Sequence, residues 1–159
     1  MLGKPKVLFL STGNSTRSQM AEGFLRALAS DRFIAVSAGI QPTEVNPLTT
    51  EVMKEAGIDI SHQKAKNVAE SLQEHFAYVI TMCNMAKERA PIFPSTPNLL
   101  HWSIVDPNAE KSAARQKDAF RRVRDEISAH VQDFLAEIRE QRGPQQEPAD
   151  SVLSSHSLP

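Results

Sequence analysis

The spacing of apolar residues along the chain changes several times, and each change marks an element. VLFL at 7–10 is an unbroken apolar run between Lys6 and Ser11, the pattern of a strand covered on both faces. From Arg17 onward the apolar positions fall at Met20, Phe24, Leu25 and Leu28, with Glu22 and Arg26 on the opposite side, which predicts an amphipathic helix. FIAVS at 33–37 predicts a second strand, closed by Gly39. Asn46-Pro47 opens a second helix, because proline suits a first turn, and Gly57 stops it as a C-terminal cap. VAESL at 68–72 predicts a short helix, YVITM at 78–82 is the most β-like run, and LLHW at 99–102 predicts a fourth strand. Phe120, Val123, Ile127, Val131, Phe134, Leu135 and Ile138 recur at helical spacing and predict one long amphipathic helix.

Strands that alternate with helices predict an α/β fold: a single domain with a four-stranded parallel sheet and helices on both faces. Right-handed crossovers place the helices, and ligands of such sheets sit at the carboxyl ends of the strands. Segments 11–17, 83–90 and 103–107 each follow a predicted strand and are expected to meet in one cleft. The domain is expected over 1–142. The remainder, 143–159, is rich in Pro, Gln and Ser with little to bury, and is expected to be a disordered tail.

Composition narrows the function classes. The chain has 159 residues and a net charge of −1, so no basic field points to nucleic acid or to a membrane surface. No apolar run nears the roughly 18–20 residues needed to span a bilayer, and the N-terminal apolar run is too short for a signal peptide. A cytoplasmic location is the resulting expectation. The lone cysteine, Cys83, excludes an internal disulfide and any zinc site built on several cysteines.

The loop between the first strand and first helix, STGNSTRS at 11–18, has the makings of an anion cradle. Gly13 and Asn14 tolerate left-handed backbone, so that successive amides of Thr12–Ser15 can turn inward as a nest. The helix that follows adds its positive end, and Arg17 offers a planar fork of donors. Ser15, Thr16 and Ser18 add hydroxyls. The Gly-Lys-Ser/Thr ending of nucleotide loops is absent. Spacing alone leaves an ordinary βα turn with a solvated arginine as an equal alternative.

TGNSTRSQMAEG, VSAGI, VNP, MKEAGIDIS, HWSIVDP and RRVRDEI, in that order, resemble the thioredoxin-linked arsenate reductases of the low-molecular-weight tyrosine phosphatase superfamily, over about residues 5–140. The resemblance implies roles. Ser11 stands where that family has its nucleophilic cysteine of Cys-x5-Arg-Ser. Arg17 matches the oxyanion-binding arginine, Ser18 the hydroxyl that stabilises the thiolate, Asn14 the residue that shapes the loop, and Asp106 the general acid. Cys83 matches a second cysteine that attacks the arsenylated first, and Ala90 the relay cysteine that passes the disulfide to thioredoxin or another thiol donor. The expected ligands are arsenate, phosphate or sulfate, with no metal and no organic cofactor. Asp106-Pro107-Asn108-Ala109 lacks the aromatic residues that grip a phenyl ring in phosphatases proper, which favours a small inorganic anion.

Two of three redox positions therefore differ from the family. Such a loop lowers a thiol pKa from about 8.5 into roughly the 3.5–7.5 range. An alcohol stays un-ionised there and needs a neighbouring base, for which His62, His75 and His101 are available only through the fold. Three explanations fit: an engineered trap, which the selective change at two catalytic positions favours, a natural oxyanion-binding relative without the redox step, or reaction of Cys83 with a small thiol or another protein. A low-molecular-weight protein tyrosine phosphatase and a non-catalytic oxyanion-binding module are the rival functions. Glu22 is expected to buttress the loop, Lys64 and Lys66 to form a solvated face that can also lend charge to it, His101 and Trp102 to pack a strand end, and Arg121, Arg122, Arg124 and Asp125 to face solvent.

Overall fold

The computed structural model describes residues 3–93 and 96–142. Four strands, β1 (Lys6–Ser11), β2 (Ile34–Gly39), β3 (Tyr78–Thr81) and β4 (Asn98–His101), form one parallel sheet in the order β2-β1-β3-β4. Four helices accompany them: α1 (Arg17–Ala29), α2 (Pro47–Glu55), α3 (Asn84–Arg89) and α4 (Ala113–Arg142). Short 3₁₀ turns occupy Val68–Ser71 and Pro107–Ala109. The predicted fold class is the observed one.

Alternation along β1 divides the core. Val7 and Phe9 point to the face covered by α1, α2 and α4, where they meet Met20, Phe24, Met53, Phe120, Ile127 and Val131. Leu8 and Leu10 point to the other face, against Val68, Phe76 and Ala86. Both sides of β1 are therefore apolar, as an unbroken run requires. Burying a side chain of the size of Phe120 or Ile127, both wholly enclosed, stabilises the fold by about 1.5–3 kcal/mol.

Local signals set the element ends. The Asn46 side chain accepts the Leu48 amide and Pro47 takes the first turn of α2. The helix ends on amide bonds from Gly57 to Lys54 (2.9 Å) and from Ile58 to Met53 (3.0 Å), with Gly57 at φ +81° as the left-handed residue that such an ending needs. Two elements differ from expectation. Residues 84–89 form a helix, too short for apolar periodicity to show it. The last helix starts at Ala113, ahead of its apolar positions, because its first turns bury little. The expected tail, 143–159, lies outside the described residues.

The order β2-β1-β3 places a crossover reversal at β1. The crevice opens there, at the carboxyl ends of β1 and β3, as open α/β sheets dictate.

Candidate active site

The loop after β1 is held from outside through its carbonyl oxygens. Those of Ser11, Thr12, Gly13 and Ser15 accept the amides of Ile40, Gln41, Thr43 and Asn46 at 2.9–3.2 Å. One residue takes the left-handed turn: Asn14, at φ 51°. Gly13 was expected to share that role but keeps an ordinary φ. The indispensable glycine is Gly39, at the end of β2. A Cβ there would lie 2.9 Å from the Thr12 carbonyl oxygen and 3.0 Å from Asn14. Only a bare backbone lets the loop come this close.

Beneath the loop lies a buried polar network. Asn14 Nδ2 donates to Ser18 Oγ (2.8 Å), and Asn14 Oδ1 accepts from the Lys66 amide (2.9 Å) and from Gln19 Nε2 (3.0 Å). Gln63 Nε2 donates to Gln19, and Arg26 donates to Gln63 Oε1. Glu22, also buried, accepts from Ser37 Oγ and pairs with Arg26 and Lys66. It bonds no loop residue itself and connects to the loop through Lys66, whose amide donates to Asn14 Oδ1. Lys66 is committed to Glu22 and the Lys64 carbonyl behind the loop, rather than to its mouth.

Ser11 Oγ forms the floor. It accepts the Asn14 amide (3.2 Å) and lies 2.6 Å from Ser18 Oγ. Ser18 is wholly buried and already accepts Asn14 Nδ2. Among the described residues, no histidine bonds to Ser11 Oγ: His101 Nδ1 pairs with Thr81 Oγ1 at 2.7 Å, and His62 and His75 are exposed.

Above this floor opens a cleft of about 440 Å³, lined by loop residues Ser11, Thr12, Gly13, Ser15, Thr16 and Arg17, by 43–47, and by Asp106 and Asn108. Asn14 and Ser18 lie under the floor instead of in its lining. Arg17 is turned inward, its side chain 11% exposed. Nη1 donates to the Ile104 carbonyl at 2.9 Å and Nη2 stands 3.8 Å from Asp106 Oδ2. Asp106 Oδ1 is fixed by the Asn108 amide (2.9 Å) and Nδ2 (3.0 Å). Asn108 Nδ2 also reaches Thr16 Oγ1 at 3.4 Å, and its Oδ1 takes Asn46 Nδ2 at 2.9 Å. Thr49 donates toward Ser15 and Thr16.

Cys83 follows β3 and its Sγ lies 3.2 Å from Thr12 Oγ1, one residue from Ser11. Two of the three predicted segments, 11–17 and 103–107, thus share the cleft, and 83–90 touches its edge through Cys83. Ala90 sits at the far end of α3 from Cys83. At 1.5 Å per residue the two Cα atoms are roughly 10 Å apart, beyond the about 7 Å that a disulfide tolerates.

Sequence patterns missed the wall 43–47 and the partners Gln19, Gln63, Thr49 and Asn108. The Asn46-Pro47 cap was the nearest signal, since a helix N-terminus often borders a site.

A sequence profile of the low molecular weight phosphotyrosine protein phosphatases matches residues 6–144. The chain belongs to that family. Among its relatives, an arsenate reductase of Halalkalibacterium halodurans is 40% identical over 134 residues, 84% of this chain and 96% of that protein. Arsenate reductase 1 of Staphylococcus epidermidis is 39% identical over 135 residues, covering 85% and 98%. A solved structure described as an arsenate reductase in the phosphate binding state superposes with a TM-score of 0.74 at 30% identity, covering 85% of this chain and 99% of that one. By family the chain is an enzyme of the arsenate reductase type.

Proposed function

We propose that this chain captures arsenate or phosphate in the loop 11–18 by the arsenate reductase mode of binding, and that it stops before the redox step. The observation that carries this reading is the meeting of Ser11 Oγ, Arg17 and Asp106 around one cleft. The loop carbonyls are bonded outward, an arrangement that turns amides toward the guest, and the positive end of α1 and the Arg17 fork add to them.

The same geometry supports the proposed arrest. A thiolate on this floor would gain from the Asn14 amide and the Ser18 hydroxyl. An alcohol does not ionise there without a neighbouring base, and among the described residues no histidine bonds to Ser11 Oγ. Cys83 is the sole cysteine, so no intrachain disulfide can carry two electrons to arsenic. Turnover would require a cysteine at Ser11, a second at Ala90, and an external thiol donor such as thioredoxin, which belongs to a reducing compartment like the cytoplasm. Among the described residues no aromatic side chain lines the cleft, which favours an inorganic anion over a phosphotyrosine side chain.

Calorimetry with arsenate tests the binding. Arg17→Ala should weaken it by at least about tenfold, since charged hydrogen bonds contribute about 1.5–3 kcal/mol, and equal affinities defeat the proposal. Ser11→Cys should gain hydrolysis of a small aryl phosphate with Asp106 as acid, and arsenate turnover by the unaltered chain with thioredoxin would contradict the arrest.

A further inference from the structure

The protons of the floor can be counted. Ser18 Oγ accepts Asn14 Nδ2 and is wholly buried, and the acceptor within its reach is Ser11 Oγ at 2.6 Å. The arrangement in which the Ser18 hydroxyl donates to Ser11 gives that buried proton an acceptor. Ser11 Oγ also accepts the Asn14 amide, so its own proton remains for the cleft. With a serine at this position the floor becomes a donor, and it joins Arg17 and the loop amides in facing the guest with hydrogen-bond donors.

The opposite rim differs. Asp106 lines the cleft; its Oδ1 takes two hydrogen bonds from Asn108, while Oδ2 stands 3.8 Å from Arg17, inside ion-pair range and too long for a hydrogen bond. Oδ2 is therefore an oriented acceptor with spare capacity, next to the guanidinium that grips the anion. Glu44 is the other carboxylate on the wall, and it is exposed.

We propose that Asp106 is a specificity-determining acceptor that takes the O–H of a protonated tetrahedral oxyanion, so that the cleft prefers hydrogen arsenate and hydrogen phosphate to sulfate. This rests on the oxyanion reading given above and narrows it. Near neutral pH the arsenate and phosphate dianions keep one proton, whereas sulfate, of equal charge, has none. A sulfate oxygen against Asp106 Oδ2 sets two acceptors face to face with no proton to share. Sites built to bond a substrate hydroxyl reject analogues that lack it, here moderated because Asp106 is 45% exposed.

The full-length chain is titrated calorimetrically at pH 7 with sodium arsenate, phosphate, sulfate and selenate. Arsenate and phosphate should bind about tenfold or more tighter than sulfate. Selenate, close to arsenate in size but proton-free, should bind as weakly as sulfate. In Asp106→Asn the new amide can donate, so sulfate should tighten and the preference shrink to within about threefold. Selenate or sulfate binding as tightly as arsenate overturns the proposal, with no variant required. So does a preference that survives Asp106→Asn, or one that vanishes in Glu44→Gln instead. If no anion binds at all, the oxyanion reading fails and this inference with it; if all bind equally, only this inference fails.

Discussion

The cradle at 11–19 and the arm at 83–90 would serve the two halves of one reaction, yet they are built to different standards. In the cradle, Asn14, Ser18 and Gln19 are wholly buried and each is bonded to others of the set. The arm is a six-residue helix with one buried residue, Ala86, and with Met85 exposed on its surface. It touches the cradle through the Cys83–Thr12 contact. A packed, fully satisfied network holds one geometry, while an element with few buried contacts opens at low cost. On the proposed reading, binding falls to the stiff part of this fold, and the position that a relay would use falls in the soft part. Ser11 belongs to the stiff part, where its oxygen makes hydrogen bonds with Ser18 Oγ and the Asn14 amide.

Breaking the stiff half should cost most. Asn14→Ala removes the partners of Ser18, Gln19 and Lys66 and puts a Cβ-bearing residue without a local hydrogen bond at φ 51°. It should lower stability by about 2–4 kcal/mol in urea unfolding and abolish arsenate binding. A loss below about 1 kcal/mol would mean that the cradle is no stiffer than the arm. Next in size, Gly39→Ala forces a methyl against the Thr12 carbonyl and Asn14. It should cost about 1–3 kcal/mol and weaken arsenate binding, because both neighbours are loop backbone that must shift.

The soft half should yield little in stability and much in mobility. Ala90→Cys, kept reduced, should change stability by less than about 0.5 kcal/mol. Under oxidant it should pair with Cys83 only as fast as residues 84–89 exchange their amide hydrogens, since an intact α3 keeps the two positions apart. Pairing much faster than that exchange would show that α3 need not open.

The smallest effect lies away from both. Arg121, with Lys117 and Arg124, clamps α2 to α4 through Glu55. Arg121 and Arg124 are thus cross-links between helices instead of the free solvent face their charge suggested. The Arg121 hydrogen bond holds the Glu55 carboxyl down at about 2, against the usual 4.5. A depressed carboxylate contributes its stability fully above the unfolded pKa and loses it as pH falls through the folded one. The melting temperature should therefore drop in part between about pH 4.5 and 2 through this group, and Glu55→Gln should flatten that limb slightly while leaving arsenate binding untouched.

The sheet, the order of elements, the ends of α2 and the loop with its Arg17 were legible because each rests on residues close in sequence. An apolar run, a Pro-led first turn or a glycine stop acts over a few positions. What surrounds the loop was not legible. Gln19 to Gln63, Asn14 to Lys66, Thr16 to Thr49 and Asn108, and Gly39 to Thr12 join residues that only the crossovers bring together. Polar side chains carry no periodicity that announces a distant partner. The six residues of α3 escaped for a related reason: with one buried position there is no pattern to detect.

By itself the chain determined that a tetrahedral anion has a candidate cradle at the first βα turn, and that no cysteine pair exists to reduce it. Tertiary structure decided where each group stands: Arg17 turned inward, Ser18 against Ser11, and Asp106 beside Arg17 on the cleft wall. Direction is settled by whichever remote partner satisfies a buried polar atom, and that partner is chosen by packing across the whole sheet.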